Sequence, residues 1–326
     1  MKISGANIKA WSRLGQRGTL FGIGLPELAA EMDNLSVLSA DLAYLSGMDR
    51  FIKKYPDKFI QAGIAEQNMM CVAAGLAMEG ECVVATTYAS FIAVRSLEQI
   101  RQNISYPKTN VKIIGSSAGV IAAKSGVSHW ATEDLAFMRA LPNMTVISPA
   151  DSLETLKAFD ASLKINGPVY IRLSGGLDCP IVYSEDYDFK IGKINLIRSG
   201  SGIAILSTGL MVSESLKAAD LLMDKGLECS VFDVHTIKPL DRENLTEIFK
   251  NYSLIVTVEE HNVIGGLGGA IAEFKATQAH SPRQIFIGFN DEFTKAGSQR
   301  YIWDLVGLTS EKIAKKIYED LEQHYE

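Results

Sequence analysis

The stretch Phe59 to Phe91, "FIQAGIAEQNMMCVAAGLAMEGECVVATTYASF", reads as a β-like run, a long apolar helix and a second β-like run, with one carboxylate, Glu66, where the helix begins. Strand, helix and strand in so short a span make a βαβ unit, which lays its two strands parallel. The same rhythm extends both ways. "NLSVLSA" (34–40), "CVVAT" (82–86), "NVKIIGS" (110–116), "MTVISP" (144–149) and "PVYIRLS" (168–174) alternate with helical patterns near 66–79, 88–104, 133–140 and 151–165. After the turn-rich, acidic "GGLDCPIVYSEDYDF" (175–189), a second series begins: "IAILSTG", "CSVFDV", "LIVTVEE" and "QIFIGF", separated by helices near 212–225, 241–250 and 268–279. The pattern predicts an α/β protein of two domains, each a mostly parallel sheet flanked by helices. The boundary falls near 178–192, giving domains over 1–182 and 190–326.

Composition narrows the function. A chain of 326 residues suits two domains, and 47% hydrophobic with 21% charged residues suits compact cores. The 38 acids and 32 bases are interspersed, for a net charge of −6, so no basic stripe offers a footprint for nucleic acid. No run of about 18 apolar residues is present to cross a membrane, and the first twenty residues scatter Lys2, Lys9, Arg13 and Arg17 instead of forming a leader. Cys71, Cys82, Cys179 and Cys229 are widely spaced, with no CxxC, which points to reduced thiols and a cytoplasmic setting.

In open parallel sheets, ligands gather beyond the carboxyl ends of the strands. Three loops there stand out: "AGIAEQN" (62–68), "TTYASF" (86–91) and "GSSAGVIAAKSGVSHWATEDL" (115–135). Glu66 falls in the first turn of its helix, where the helix dipole alone favours an acid. Flanked by Ile64, Ala65, Met69 and Met70, it is also placed to be partly desolvated and to share a proton with a ring nitrogen. Tyr88 and Phe91, three apart at the start of the next helix, would project from one face and offer a platform for a flat heterocycle, although such pairs are more often core. An acid beside an aromatic face suits an aminopyrimidine. Two glycine-rich stretches fail as dinucleotide fingerprints. "GIGLPEL" (22–28) has Glu27, and "IGGLGGAIAE" (264–273) has Ile271, where the third glycine belongs. Close helix–sheet packing is the expected role of Gly265, Gly266, Gly268 and Gly269. His129, His235 and His261 stand in loops or after strands, and no histidine or acid cluster has metal-ligand spacing, so no intrinsic metal site is expected.

"GIAEQNM" (63–69), "TTYASF", "EDLAFMRALPNMTVISPAD" (133–151), "HTIKPLD" (235–241) and "TVEEHNVIGGLGGAIAE" (257–273), in this order, resemble the carboxyl-terminal part of transketolase, from about Gly15 to Thr309. The resemblance implies a pyrimidine-binding domain followed by the transketolase C-terminal domain. The GDG motif with which that family holds the diphosphate and Mg²⁺ of thiamine diphosphate does not occur. The chain therefore looks like the second subunit of a split transketolase. Its cofactor, thiamine diphosphate with Mg²⁺ or Ca²⁺, would be completed by an N-terminal partner subunit in an α2β2 assembly in which two of these chains pair. The resemblance implies that Glu66 bonds N1′ of the aminopyrimidine, that Phe91 stacks on it with Tyr88 lining the pocket, and that Asp41, in "LSADL", approaches the thiazolium. His129 would contact the first carbons of a ketose whose two-carbon unit passes to an aldose.

Departures from the family pattern bear on the substrate. The family usually has His at Ser117, Glu-Asp at Lys124-Ser125, Gln at Trp130 and Arg at Gly175. The missing Arg and His help hold a sugar phosphate there, so an atypical donor is expected, such as a sulfonated, branched or unphosphorylated sugar. Arg17, Lys124 and Arg172 are the candidate cations for a distal anion. Rival readings are the β subunit of a 2-oxo acid dehydrogenase E1, which shares "TIKPLD", and a non-catalytic assembly subunit.

Overall fold

The computed structural model describes residues 2–279 and 281–325. Among them, twelve strands form two sheets. The first contains β1 (Leu35–Ser39), β2 (Phe59–Gln61), β3 (Cys82–Tyr88), β4 (Val111–Ser116), β5 (Thr145–Ile147) and β6 (Val169–Arg172). The second contains β7 (Asn195–Arg198), β8 (Ile203–Ser207), β9 (Cys229–Asp233), β11 (Leu254–Asn262) and β12 (Arg283–Phe289). A short strand, β10 (Thr236–Lys238), follows β9 in the chain yet joins the first sheet, antiparallel to β5. The orders are β10-β5-β6-β4-β3-β1-β2 and β12-β11-β8-β9-β7, parallel except for β10 and for β7, which runs antiparallel to β9. The two-domain, mostly parallel α/β reading holds. Strands β3 and β4 are buried along nearly their whole length, because helices cover both faces of a parallel sheet.

Three features depart from the sequence expectation. Tyr88 does not begin a helix: it pairs with Ser116 at the end of β3, and the helical segment opens at Ala89 and continues into a wide π turn, Phe91–Arg95. The edge strands β7 and β10 were not read from the sequence, where each is only a few residues long. An amino-terminal helix, Gly5–Thr19, packs on helix Ser152–Leu163. It kinks at Gly15, whose φ of 71° lies in the left-handed region.

The domains are joined by a shared core and by buried polar groups. Leu38, Met69, Val83 and Ile113 of the first domain cluster with Leu206, Phe232, Leu267 and Ile271 of the second. Ser148 N–H donates to His235 O at 2.7 Å, and Asn262 N–H to Thr132 O at 2.7 Å. Asp151 caps helix Ser152–Leu163 through Glu154 N–H, while its other oxygen accepts Val182 and Tyr183 N–H of the linker, each at 2.9 Å.

One turn further in, Glu154 meets Asp233 at the end of β9. Tyr187 Oη–H donates to Glu154 at 2.6 Å and Tyr183 Oη–H to Asp233 at 2.7 Å, and the two tyrosine rings stack 4.0 Å apart. Asp233 Oδ1 receives no protein donor, and burying the two carboxyls together favours a proton shared between them. Burial pushes Asp233 up to about 7. Burial first, and then the Asp233 charge, raise Glu154 well above the usual carboxylate range. Acids raised on folding hold protons that the unfolded chain has released. Their contribution to stability is complete below the unfolded pKa of about 4 and is lost as pH climbs through the folded value. Burial lowers His235 to about 3, an effect of opposite sign that is over once the unfolded imidazole is neutral. As pH climbs from the point where the unfolded imidazole is neutral through about 7, unfolding free energy should therefore fall, by up to about 1.4 kcal/mol per pH unit. Asp233→Asn, which keeps both hydrogen bonds, should make the decline shallower in denaturant titrations. An identical slope in the variant refutes the shared proton.

Candidate active site

The carboxyl edge of the first sheet gathers side chains from five connections. Asp41 follows β1, with φ 60° and its N–H on Gln61 Oε1 at 2.8 Å. Glu66 opens helix Glu66–Met78 after β2 and is buried, 7% exposed, where the unsatisfied N–H groups of the first turn favour a negative charge. Tyr88 and Phe91 follow β3, Ser117, Ser125 and His129 follow β4, and Gly175 to Leu177 follow β6.

Arg95 joins the first two of these groups. Its Nη1 lies 3.1 Å from Glu66 Oε1, and its guanidinium carbon lies 3.8 Å over the centroid of the Phe91 ring. The slot between carboxylate and ring therefore accommodates a flat group that carries N–H donors. The rings of Tyr88 and Phe91 are 5.6 Å apart, and the His129 imidazole stands edge-on to both, at 6.0 and 5.3 Å. His129 Nδ1 lies 2.9 Å from Ser128 Oγ, which leaves Nε2 for other partners.

Tyr88 also lines a cavity of about 530 Å³ with Arg17, Tyr44, Ser117, Ser125 and Gly175. Arg17 is the charged side chain in this lining, with Nη1 3.3 Å from Ser117 Oγ. It arrives there by a close approach. A Cβ on Gly15 would stand 2.1 Å from Gly176 O, so only glycine lets the kinked helix lie against the 175–177 loop. Gln16 then clamps that loop: its Oε1 accepts Gly175 N–H at 2.6 Å and its Nε2 donates to Pro149 O at 2.7 Å. Gly175 itself is sealed, since a Cβ would meet Cys179 Sγ at 2.7 Å and Gln16 Cγ at 2.8 Å. No side chain can leave this position for the cavity without moving both.

The structure corrects one candidate. Arg172 does not reach the cavity. It is fully buried, with Nε 3.0 and 2.9 Å from the two oxygens of Asp134 and Nη2 bonded to Ala131 O and Glu260 O. This guanidinium is enclosed between the domains and cannot meet a soluble anion. Lys124 is exposed on the turn Ala123–Ser125 and does not line the cavity, whereas Ser125 does. Trp130 is buried under the loop, Nε1 bonded to Ala123 O at 3.3 Å.

Sequence reasoning missed Arg95 and Gln16. The spacing of Arg95, four residues after Phe91, is a signal for side chains meeting on one helical face. Gln16 carries no such mark. Gly265, Gly266 and Gly268 are closely packed, whereas a Cβ on Gly269 would meet nothing nearer than 4.0 Å, and Glu259 occupies the helix N-terminus, accepting Leu267 and Gly268 N–H at 2.7 and 2.8 Å. A buried carboxylate thus fills the position a dinucleotide's pyrophosphate requires. Among the described residues, no group of three or more His, Cys, Asp or Glu could hold a metal ion, and no helix is long and apolar enough to cross a membrane.

Two α/β domains joined by a shared core, with a ring slot and a polar cavity on the carboxyl edge of the first, define the pyrimidine-binding and C-terminal half of a thiamine-diphosphate-fold enzyme. The transketolase pyrimidine-binding domain matches residues 17–177, and the transketolase C-terminal domain matches residues 192–313. The chain belongs to the transketolase family, as the carboxyl-terminal portion of a split member. It is 38% identical over 301 residues, 92% of each chain, to the 6-deoxy-6-sulfo-D-fructose transketolase subunit of Clostridium sp. (strain MSTE9). It is 34% identical over 297 residues, 90% of this chain and 94% of the other, to an apulose-4-phosphate transketolase subunit of Phocaeicola vulgatus. A solved structure described as a split gene transketolase, inactive beta4 tetramer, superposes with a TM-score of 0.84 at 38% identity, covering 95% of this chain and 98% of that one. For the pyrimidine of the family's cofactor the fit is good. Arg95 already places a planar N–H donor between Glu66 and Phe91, which is what an aminopyrimidine presents.

Gly15→Ala should lower stability by about 1–3 kcal/mol, from left-handed backbone strain and displacement of the Gly176 carbonyl. Thermal unfolding checks this. A variant as stable as the parent would mean that the helix does not approach the loop this closely.

Proposed function

We propose that this chain is the pyrimidine-binding subunit of a two-subunit, thiamine-diphosphate-dependent transketolase. It moves a two-carbon ketol unit to an aldose from a ketose whose far end carries a single negative charge, best a sulfonate. The observation that carries the reading is the slot between Glu66 and Phe91, with His129 and Tyr88 at its margin. When bound, the cofactor supplies the electron sink for breaking the ketose carbon–carbon bond. Glu66 holds a proton at the pyrimidine N1′, and burial keeps that proton from exchanging freely with water. Phe91 fixes the plane of the ring, and Tyr88 continues the same wall into the sugar cavity. His129, oriented by Ser128, offers Nε2 to a donor hydroxyl. Asp41 stands at the neighbouring strand end, where it would face the thiazolium of a bound cofactor.

Charge selects the donor. Arg17 and the hydroxyls of Ser117 and Ser125 face the cavity, while the arginine the family carries at Gly175 is replaced by a glycine sealed behind Gln16. One guanidinium balances a sulfonate, which carries one charge; a phosphate monoester carries about 1.5 to 2 at neutral pH. The sulfofructose relative supports this choice by its name. The diphosphate and its Mg²⁺ or Ca²⁺ fall to an N-terminal partner subunit, and the proposed assembly is α2β2. The exposed Tyr44, Leu45, Ile64 and Leu177 around the site suit burial against that partner. The relative described as an inactive tetramer of β chains supports both self-pairing and inactivity alone.

Two outcomes are expected from the chain reconstituted with its N-terminal partner. Glu66→Gln should lower turnover by about 10²-fold or more, since proton transfer through a placed side chain contributes on that order. In donor assays, 6-deoxy-6-sulfofructose should exceed xylulose 5-phosphate in kcat/KM. Unaltered turnover by the Gln variant removes the cofactor role of Glu66, and equal use of the phosphate removes the charge argument.

A further inference from the structure

We infer that Arg95 is a positioning residue for the cofactor, a gate that holds the pyrimidine slot until the ring displaces it and that then moves to Glu133. The inference rests on the reading of the slot as a pyrimidine site. Glu66, with its side chain 8% exposed, is a carboxylate largely removed from water, and a buried charge with no partner is strongly destabilising. Arg95 is the partner the structure provides. It does so from a side chain that is itself 48% exposed, so it can leave through solvent without unpacking the core. A guanidinium suits the place because it is flat, stacks on an aromatic face and donates in its own plane. The aminopyrimidine makes the same demands: a ring face on Phe91 and a donor on Glu66. Ring and guanidinium cannot occupy the slot together.

The backbone of Arg95 stays put while its side chain exchanges. Gln67 Nε2 donates to Arg95 O at 2.9 Å, and Arg95 closes the π turn that starts at Phe91. The destination is a second cavity that Arg95 already lines. It has a volume of about 360 Å³ and is lined also by Phe91, Ser128, Trp130, Glu133 and Phe293. Glu133 Oε2 accepts Thr132 N–H at 3.2 Å, and no ion pair to Glu133 is found among the described residues. Arg95 thus lines the pocket of one carboxylate and the pocket of another. Exchanging Glu66 for Glu133 keeps the cation paired while releasing the slot, and Glu66 takes its next donor from the ring.

The test is thiamine diphosphate binding, in the presence of Mg²⁺, by the chain reconstituted with its N-terminal partner, followed by intrinsic fluorescence, for which Trp130 lines the Glu133 cavity. Arg95→Met removes the ion pair and the cation–ring contact but keeps a long side chain, and should bind about three- to tenfold more tightly, with faster association. Glu133→Gln should bind more weakly than the parent, because the displaced guanidinium loses its second partner. In the Arg95→Met background, Glu133→Gln should change nothing, which a merely structural role for either residue would not produce. Equal or weaker binding by Arg95→Met, or additive effects of the two changes, overturns the gate while leaving the pyrimidine reading intact. Absence of thiamine diphosphate binding by the parent pair overturns both.

Discussion

The guanidinium of Arg172, closed off between the two domains, decides where the His129 loop lies. It grips both oxygens of Asp134 at the start of helix Asp134–Ala140, the carbonyl of Ala131 at the end of the loop and the carbonyl of Glu260 on β11. The loop is fastened at its other end as well. Gly119 and Ala131 exchange N–H···O bonds of 3.0 and 2.9 Å, and Glu260 accepts Val120 N–H. Removing one partner from a buried pair of this kind costs about 3–5 kcal/mol, because an uncompensated charge is left inside. The second domain therefore fixes the backbone on which His129 is presented, although its strands bring no side chain to the cavity.

A second constraint shapes the sugar side. The family's resemblance places an arginine at Gly175, but here the space a side chain needs is taken by Gln16 and Cys179. This is a repacked wall with its own hydrogen bonds, so the lost cation is not simply a hole waiting for a substitute. The same helix that supplies Gln16 supplies Arg17. Reducing the cavity to one guanidinium and holding that guanidinium in place thus come from one packing arrangement.

The domain junction carries three kinds of buried polar chemistry close together: an ion pair, the buried carboxyls of Glu154 and Asp233, and helix N-termini capped by Asp151 and Glu259. Each satisfies groups that the parallel sheets leave at their ends, and each involves residues from both sides of the linker or from adjacent elements of one domain. They explain why the junction is polar inside a shared apolar core: the strand ends and helix starts meet there, and their N–H groups need acceptors.

The sequence by itself determined the alternation of strand and helix, the parallel sheets and the two-domain plan, because apolar runs of strand length separated by helical periodicity leave few other packings. It also marked Glu66, Tyr88, Phe91 and His129, since residues in βα loops must reach the same edge of a parallel sheet. Local pattern could not show that Tyr88 ends a strand, because its pairing with Ser116 is a contact with another chain segment. Nor could it show that Arg172 faces inward: a charged residue in an apolar strand looks like a site until Asp134 and two carbonyls are found around it. Arg95 between Glu66 and Phe91, Gln16 behind Gly175, and the pairing of Tyr183 and Tyr187 with Asp233 and Glu154 were decided only by tertiary structure. In each case the partner lies far along the chain, and burial, which sequence spacing does not report, sets the strength of the interaction.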